Sequence, residues 1–269
     1  MIELQAFGPP ALRGAGSLTQ PKRLSLFLYL VLARPRGFQR RDTLLSLFWP
    51  DLSQDRGRKA LSQSLFFLRG VLPRETLRTR GTEEVGVDFH CIRCDVIQFE
   101  TALAEGRWAR ALELYEGELL AGFHLTGAPD FEEWLITERE RLREMAAGAA
   151  WSEAMRRLDA GETGKAEEVA RQAIALAPTR ESPVRTFIQS LARAGDRAAA
   201  LRFYERFEAL LARALEVSPA PETAALAEDL RRKGRQDGGV PGSEPGAGKS
   251  GVLPGEGPKG DRGPGLTAG

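Results

Sequence analysis

The sequence is poor in cysteine, in histidine and in long apolar runs, and each shortage removes a class of protein. Two cysteines, Cys91 and Cys94, stand among 269 residues, so no disulfide framework can staple the fold. His90 precedes Cys91-Ile92-Arg93-Cys94, and His124 is the only other histidine. A structural zinc site normally takes four protein ligands at compatible spacing, and there is no second Cys pair. Ordinary packing is therefore the preferred reading of the pair over a metal or redox centre. The longest apolar run, Leu24 to Ala33, falls far short of the ~20 residues that span a bilayer. Met1-Ile2-Glu3-Leu4 shows no charged n-region and no long apolar stretch, so a signal peptide is not expected. No catalytic constellation is visible, since the acids are spread along helices as solvated faces. The expectation is a cytoplasmic chain that is not an enzyme, with no cofactor, no metal and no membrane partner.

What is present suffices for a core: hydrophobic residues make up 42% of the chain, which excludes wholesale disorder. The overall charge of +1 conceals a division. Residues 1–90 carry a net +6, residues 91–232 a net −6, and residues 233–269 a net +1. A basic front beside an acidic back implies that only the front meets a polyanion.

Turn punctuation at Gly8-Pro9-Pro10 and Gly14-Ala15-Gly16 predicts short strands within residues 1–20. Pro21 suits the first position of a helix reaching to about Arg34. Its run Leu24-Ser25-Leu26-Phe27-Leu28 alternates in part, so a buried strand is the rival reading, and length favours the helix. A second helix over about Arg41 to Phe48 stops at Trp49-Pro50. A third begins after Ser53, a candidate N-cap, and runs to about Leu72. Leu77 to Val87 then reads as a hairpin. Strands, three helices and a hairpin are the order of a winged helix, whose third helix enters a DNA groove.

From Cys94 to about Arg232 the pattern is helical and contains a repeat. Gly161, Ala166 and Ala170 are echoed by Gly195, Ala200 and Tyr204, at a spacing of 34 residues, the period of tetratricopeptide repeats. Gly106, Ala111 and Tyr115 form a fainter copy. Pro178 and Pro219 close their helices at similar places. A long helix, capped at Asp130 with an acid three positions on, is expected to reach about Leu158. Residues 233–269 are Gly- and Pro-rich and nearly free of large apolar side chains, so a disordered tail is expected. Gly246-Ala247-Gly248-Lys249-Ser250 within it lacks the first glycine of a phosphate loop, which is Ser243. Three collagen-like triplets at 257–265 are too few for a triple helix. The fold class expected is mostly α: an N-terminal winged helix-turn-helix (residues 1–92, α+β), an all-α tetratricopeptide-like domain (93–232), and the tail.

On the third helix, Leu61, Leu65, Leu68 and Leu72 fall on one stripe at 100° per residue. The opposite face holds Arg56, Lys59, Gln63, Phe66, Phe67 and Gly70. Lys59 and Gln63, one turn apart, are long enough for a base edge or a phosphate. Arg78 and Arg80 share a strand face in the hairpin, and Arg40 and Arg41 open the second helix within reach of phosphate. The bland alternative is a solvated basic surface; the winged-helix context favours DNA.

Four stretches carry a likeness to a known family: Arg40-Arg41-Asp42-Thr43-Leu44-Leu45-Ser46-Leu47-Phe48-Trp49-Pro50-Asp51, Ala60-Leu61-Ser62-Gln63-Ser64-Leu65, Cys94-Asp95-Val96-Ile97-Gln98-Phe99-Glu100 and Phe131-Glu132-Glu133-Trp134-Leu135. With the repeat at Gly195–Tyr204 and Leu215-Glu216-Val217-Ser218-Pro219, the chain over about residues 1–232 resembles the SARP-type activators. These join an OmpR-like winged helix to a bacterial transcriptional activator domain. The resemblance implies sequence-specific binding to DNA repeats near promoters and recruitment of RNA polymerase; a homodimer stays open as a further partner, since the sequence does not give the oligomeric state. It places Arg58, Lys59, Ser62, Gln63, Phe66 and Phe67 on the DNA side. Where family members carry Arg near positions 62 and 67, this chain has Ser62 and Phe67. Larger relatives add an ATPase; only the tail follows here, so no nucleotide switch is expected. The competing reading is a helical-repeat interaction scaffold with weakened DNA binding, which the aromatic pair favours and the charge division opposes.

Overall fold

The computed structural model describes residues 1–237; the phosphate-loop fragment, the collagen-like triplets and the rest of the expected tail from 238 onward lie outside the described residues. The chain opens with β1 (Ile2–Gln5) and β2 (Ala11–Arg13), paired antiparallel. Helices α1 (Pro21–Leu32), α2 (Arg41–Phe48) and α3 (Gln54–Val71) follow, with β3 (Gln39–Arg40) leading into α2. The hairpin β4 (Leu77–Arg80) and β5 (Glu84–Val87) forms the wing. Pro21 stands at the first position of α1, whose residues from Ser25 to Leu32 are buried apart from Tyr29. That supports the helix over the rival strand, and buried Ser25 returns its hydroxyl to the Pro21 carbonyl at 2.9 Å. The helix stops short of Arg34 because a residue before proline, here Pro35, is pushed out of helical conformation.

Two strands escape a reading of periodicity because they are too short to have one. β3 pairs with β5, giving the sheet order β3-β5-β4. β6 (Ile92–Cys94) runs parallel to β1, aligning Ile2 with Ile92 and Leu4 with Cys94. This second pairing crosses the boundary read from the sequence at residue 92. The first hydrophobic core does not stop at residue 92; it extends from Ile2 to Ala146. Asp95, at the first position of α4 (Asp95–Ala104), accepts the N–H groups of Ala6, at 2.8 Å, and Phe7, at 2.9 Å. The loop after α5 (Trp108–Leu114) adds to the same edge, Leu120 N–H donating to the Ala6 carbonyl at 2.7 Å.

A helix of 31 residues, α6 (Pro129–Asp159), joins this core to the next; at 1.5 Å per residue it is about 46 Å long. Phe131, Leu135, Leu142 and Ala146 face the first core, and Ala150, Trp151, Ala154 and Leu158 the second. Its cap differs from expectation. Ala128 holds the N-cap position and Asp130 lies inside the first turn. Glu132, not Glu133, reaches back, accepting from the Leu125 N–H at 2.7 Å. The second core is built by α7 (Thr163–Leu176), α8 (Glu181–Arg193), α9 (Arg197–Leu215) and α10 (Pro221–Asp237). Residues 233–237, read from composition as the start of the tail, continue α10 as helix.

The repeat has a common backbone device. Gly106, Gly161 and Gly195 all have left-handed φ, at 69°, 77° and 87°. In each copy the following N–H reaches five residues back: Arg107 to Ala102, Glu162 to Arg157 and Asp196 to Leu191, at 2.8, 2.9 and 3.1 Å. This is the Schellman closure of a helix end, for which glycine is suited because it has no Cβ to clash. Ala111, Ala166 and Ala200, five residues after each glycine, have no exposed surface, so neighbouring helices approach closely there.

Candidate nucleic-acid interface

The face of α3 that faces solvent is fixed by what its other face buries. Leu61, Leu65 and Leu68, with Leu72 just past the helix end, are buried as the periodicity predicts. Buried Ser64 satisfies its hydroxyl on the Ala60 carbonyl at 2.9 Å. Ser53 occupies the N-cap position, as expected, but its side chain makes no capping bond. With the leucines turned inward, Arg56, Arg58, Lys59, Ser62, Gln63 and Phe66 are exposed.

The two phenylalanines do not share a fate. Phe66 is 79% exposed. Phe67 is half-buried, and the guanidinium of Arg23 from α1 lies 4.0 Å from the centre of its ring. Both line an open groove of about 1090 Å³ walled by Arg23, Lys59, Gln63 and Arg69, with no carboxylate in its lining. Arg23 and Arg69 were not among the candidates read from sequence. Arg69 stands three residues beyond Phe66, so helical spacing could have found it; Arg23 reaches the groove only through the packing of α1 on α3. Arg58 leaves the groove and turns toward Asp42 at 3.9 Å.

The remaining candidates lie on the sheet and its edges. Arg40 is exposed on β3, and the register places it beside Glu84, which in turn pairs with Arg80 of β4. Arg40, Glu84 and Arg80 thus form one cross-strand row. Arg41 starts α2 half-buried, with its backbone N–H on the Glu83 carbonyl at 2.8 Å. The wing arginines have partners of their own: Arg78 bonds Asp88 at 2.8 Å, and Arg80 bonds Glu84 while its guanidinium covers Phe38 at 4.8 Å. The Arg78 bond holds the Asp88 carboxyl below its usual range, and the Arg80 bond does the same for Glu84. Both arginines stay accessible, their side chains 45% and 65% exposed.

The cysteines lie away from this surface. Cys94 ends β6 and is buried, which, with Asp95 adjacent, pushes its thiol up to about 12. A thiol so raised is not a nucleophile at neutral pH. Among the described residues no group of three His, Cys, Asp or Glu is placed to hold a metal, and no helix is long and apolar enough to cross a membrane.

Helices α1 and α2, which pack against α3, are tied to the helices that follow. Tyr29 of α1 stacks edge-on with Trp134 of α6 at 4.9 Å, and Phe48 of α2 meets Phe131 of α6 at 5.3 Å. Glu100 of α4, its side chain 8% exposed, pairs with Arg34 at 2.8 Å, with Arg36, and with Arg141 of α6 at 2.7 Å. Burial pushes the Glu100 carboxyl up, but the bonds from Arg141 and Arg36 outweigh it and leave the group below its usual range.

Comparison with known proteins matches the chain both to a family model and to a solved fold. The family model of the bacterial transcriptional activator domain matches residues 87–231. The fold is similar to that of a solved structure, Mycobacterium tuberculosis EmbR in complex with a low affinity phosphopeptide, with a TM-score of 0.58 and 20% identity. That alignment covers 86% of this chain and 65% of EmbR, so the chain spans less than two thirds of that protein. No curated protein matches in sequence.

Proposed function

We propose that this chain, which belongs to the SARP-type regulators of the bacterial transcriptional activator domain family, binds double-stranded DNA sequence-specifically and activates transcription at promoter repeats by recruiting RNA polymerase. The exposed face of α3 carries the proposal. It presents Lys59, Ser62 and Gln63 beside Arg69 and Arg23 in a groove free of carboxylates. A helix lying in the major groove reads base edges with such side chains. Arg40, Arg56, Arg58, Arg78 and Arg80 then serve the phosphates, with Arg41 at the α2 start, which fixes register without reading sequence. The charge division supports this assignment, because the reader half is the cationic half. The acidic half, from α4 onward, is left to face RNA polymerase or a second copy on the adjoining repeat.

The test uses the full chain. Binding to a random duplex pool, followed by selection, should yield a preferred site. Affinity for that site should fall steeply with salt, with a slope of log affinity on log salt of about −0.9 for each phosphate neutralised. Absence of duplex binding at low salt would falsify the proposal. The scaffold reading, favoured by the exposure of Phe66, would then take its place.

A further inference from the structure

Phe66 is the most exposed large apolar side chain among the described residues, on a helix whose other exposed positions, Gly70 apart, are polar or charged. We infer that Phe66 reads thymine, its ring packing on the 5-methyl group of a T in the major groove; the inference rests on the DNA reading above. Three observations lead to it. First, the ring is free. The residues one turn before and after it, Ser62 and Gly70, are small and exposed, and a Cβ added at Gly70 would meet nothing within 4 Å. Phe67, by contrast, has Arg23 on its ring and is not available for the same role.

Second, the surroundings suit nucleic acid better than protein. Arg23, Lys59 and Arg69 line the same groove as the ring, and no carboxylate lines it. Arg and aromatic side chains also occur at protein interfaces, but a lining whose charges are all cationic is what a duplex edge flanked by phosphates requires. Asp55 heads the same stripe of the helix, three turns from the ring and outside the groove lining. Third, thymine alone offers a methyl group in the major groove. Gln63, one turn before Phe66, has the amide that pairs with adenine N6 and N7. Their axial separation of about 4.5 Å lies between one and two base steps of about 3.4 Å. An A·T-containing step is therefore the site this part of α3 fits.

Uracil in place of thymine deletes the methyl group and leaves the base pair intact. The site selected by the full chain is prepared with each thymine in turn replaced by uracil. Binding of the natural chain and of Phe66→Ala is then measured by fluorescence anisotropy. At one or more positions the natural chain should bind the uracil duplex about four-fold more weakly, the effect of one apolar carbon withdrawn from contact. Phe66→Ala should bind both duplexes alike, with unchanged melting temperature and salt slope. Equal binding by the natural chain at every position overturns the inference while leaving DNA binding intact. So does discrimination that survives in Phe66→Ala. If no duplex is bound at all, the DNA reading falls, and this inference falls with it.

Discussion

At the scale of single residues, buried charge is tolerated only where geometry compensates it, and Glu153 of α6 shows how. Its side chain is 1% exposed, and its carboxylate accepts two bonds from Arg156, each 2.8 Å, and one from Arg157 at 2.7 Å. The Arg156 bond, opposed by burial and aided by Arg157, holds the carboxyl down to about 2. A carboxyl depressed on folding stabilises the fold above its unfolded value, about 4.3, and loses that contribution as pH falls toward 2. Glu153→Gln should therefore cost about 1–2 kcal/mol at pH 7, a figure reduced because solvent screens the largely exposed Arg156. Thermal melts of the two chains at pH 7, 4 and 2 should converge as the pH is lowered. A difference that stays constant would assign the cost to packing. Phe66 and Phe67 give the complementary lesson. Adjacent in sequence and equivalent in periodicity, they differ because one lies under Arg23 and the other does not.

At the scale of the element, the helix ends of the repeat depend on backbone conformation more than on side-chain contact. A Cβ added at Gly161 or Gly195 would meet no atom within 4 Å, yet both hold left-handed φ. Gly195→Ala should thus lower stability by about 1–2 kcal/mol through conformational strain alone. Gly148, exposed in the interior of α6 with equally open space and ordinary helical φ, should respond in the opposite sense. Gly148→Ala should raise stability by roughly 0.5–1 kcal/mol, since alanine loses less freedom on entering a helix. Urea unfolding of the pair checks both signs; the same sign for both would refute the conformational account.

At the scale of the molecule, the winged helix shares one core with α4, α5 and the first half of α6, and Glu100 fastens them. It links the α1–β3 connection, through Arg34 and Arg36, to α6 through Arg141. Removing the carboxylate takes this partner from Arg34 and Arg36, while Arg141 keeps Glu138 at 2.7 Å. Glu100→Gln should destabilise the chain by about 2–3 kcal/mol, less than for a fully buried pair, because Arg34 is half exposed. Near-UV circular dichroism, which reports the Tyr29–Trp134 and Phe131–Trp134 contacts, should lose amplitude together with far-UV helicity. Loss of the near-UV signal well before helicity would show that the front and back unfold separately.

The amino-acid sequence by itself determined what depends on near neighbours. The leucine stripe of α3, Pro21 at the start of α1, the hairpin, and the glycine–alanine repeat are written in spacings of a few residues, and local sterics and burial enforce them. It also carried the charge division and the family motifs. Tertiary structure decided whatever depends on partners distant in the chain. β6 becomes a strand only because β1 lies beside it, ninety residues earlier. The first core passes residue 92 because Asp95 and the loop at Leu120 bond the end of β1. Arg78 and Arg80 are held on the wing by Asp88 and Glu84, which only the hairpin register brings to them. Arg23 joins the α3 groove from another helix, and by covering Phe67 it leaves Phe66 as the ring that meets solvent. Periodicity assigns a side chain to a face of its helix, but only the packed neighbours determine whether that face is covered.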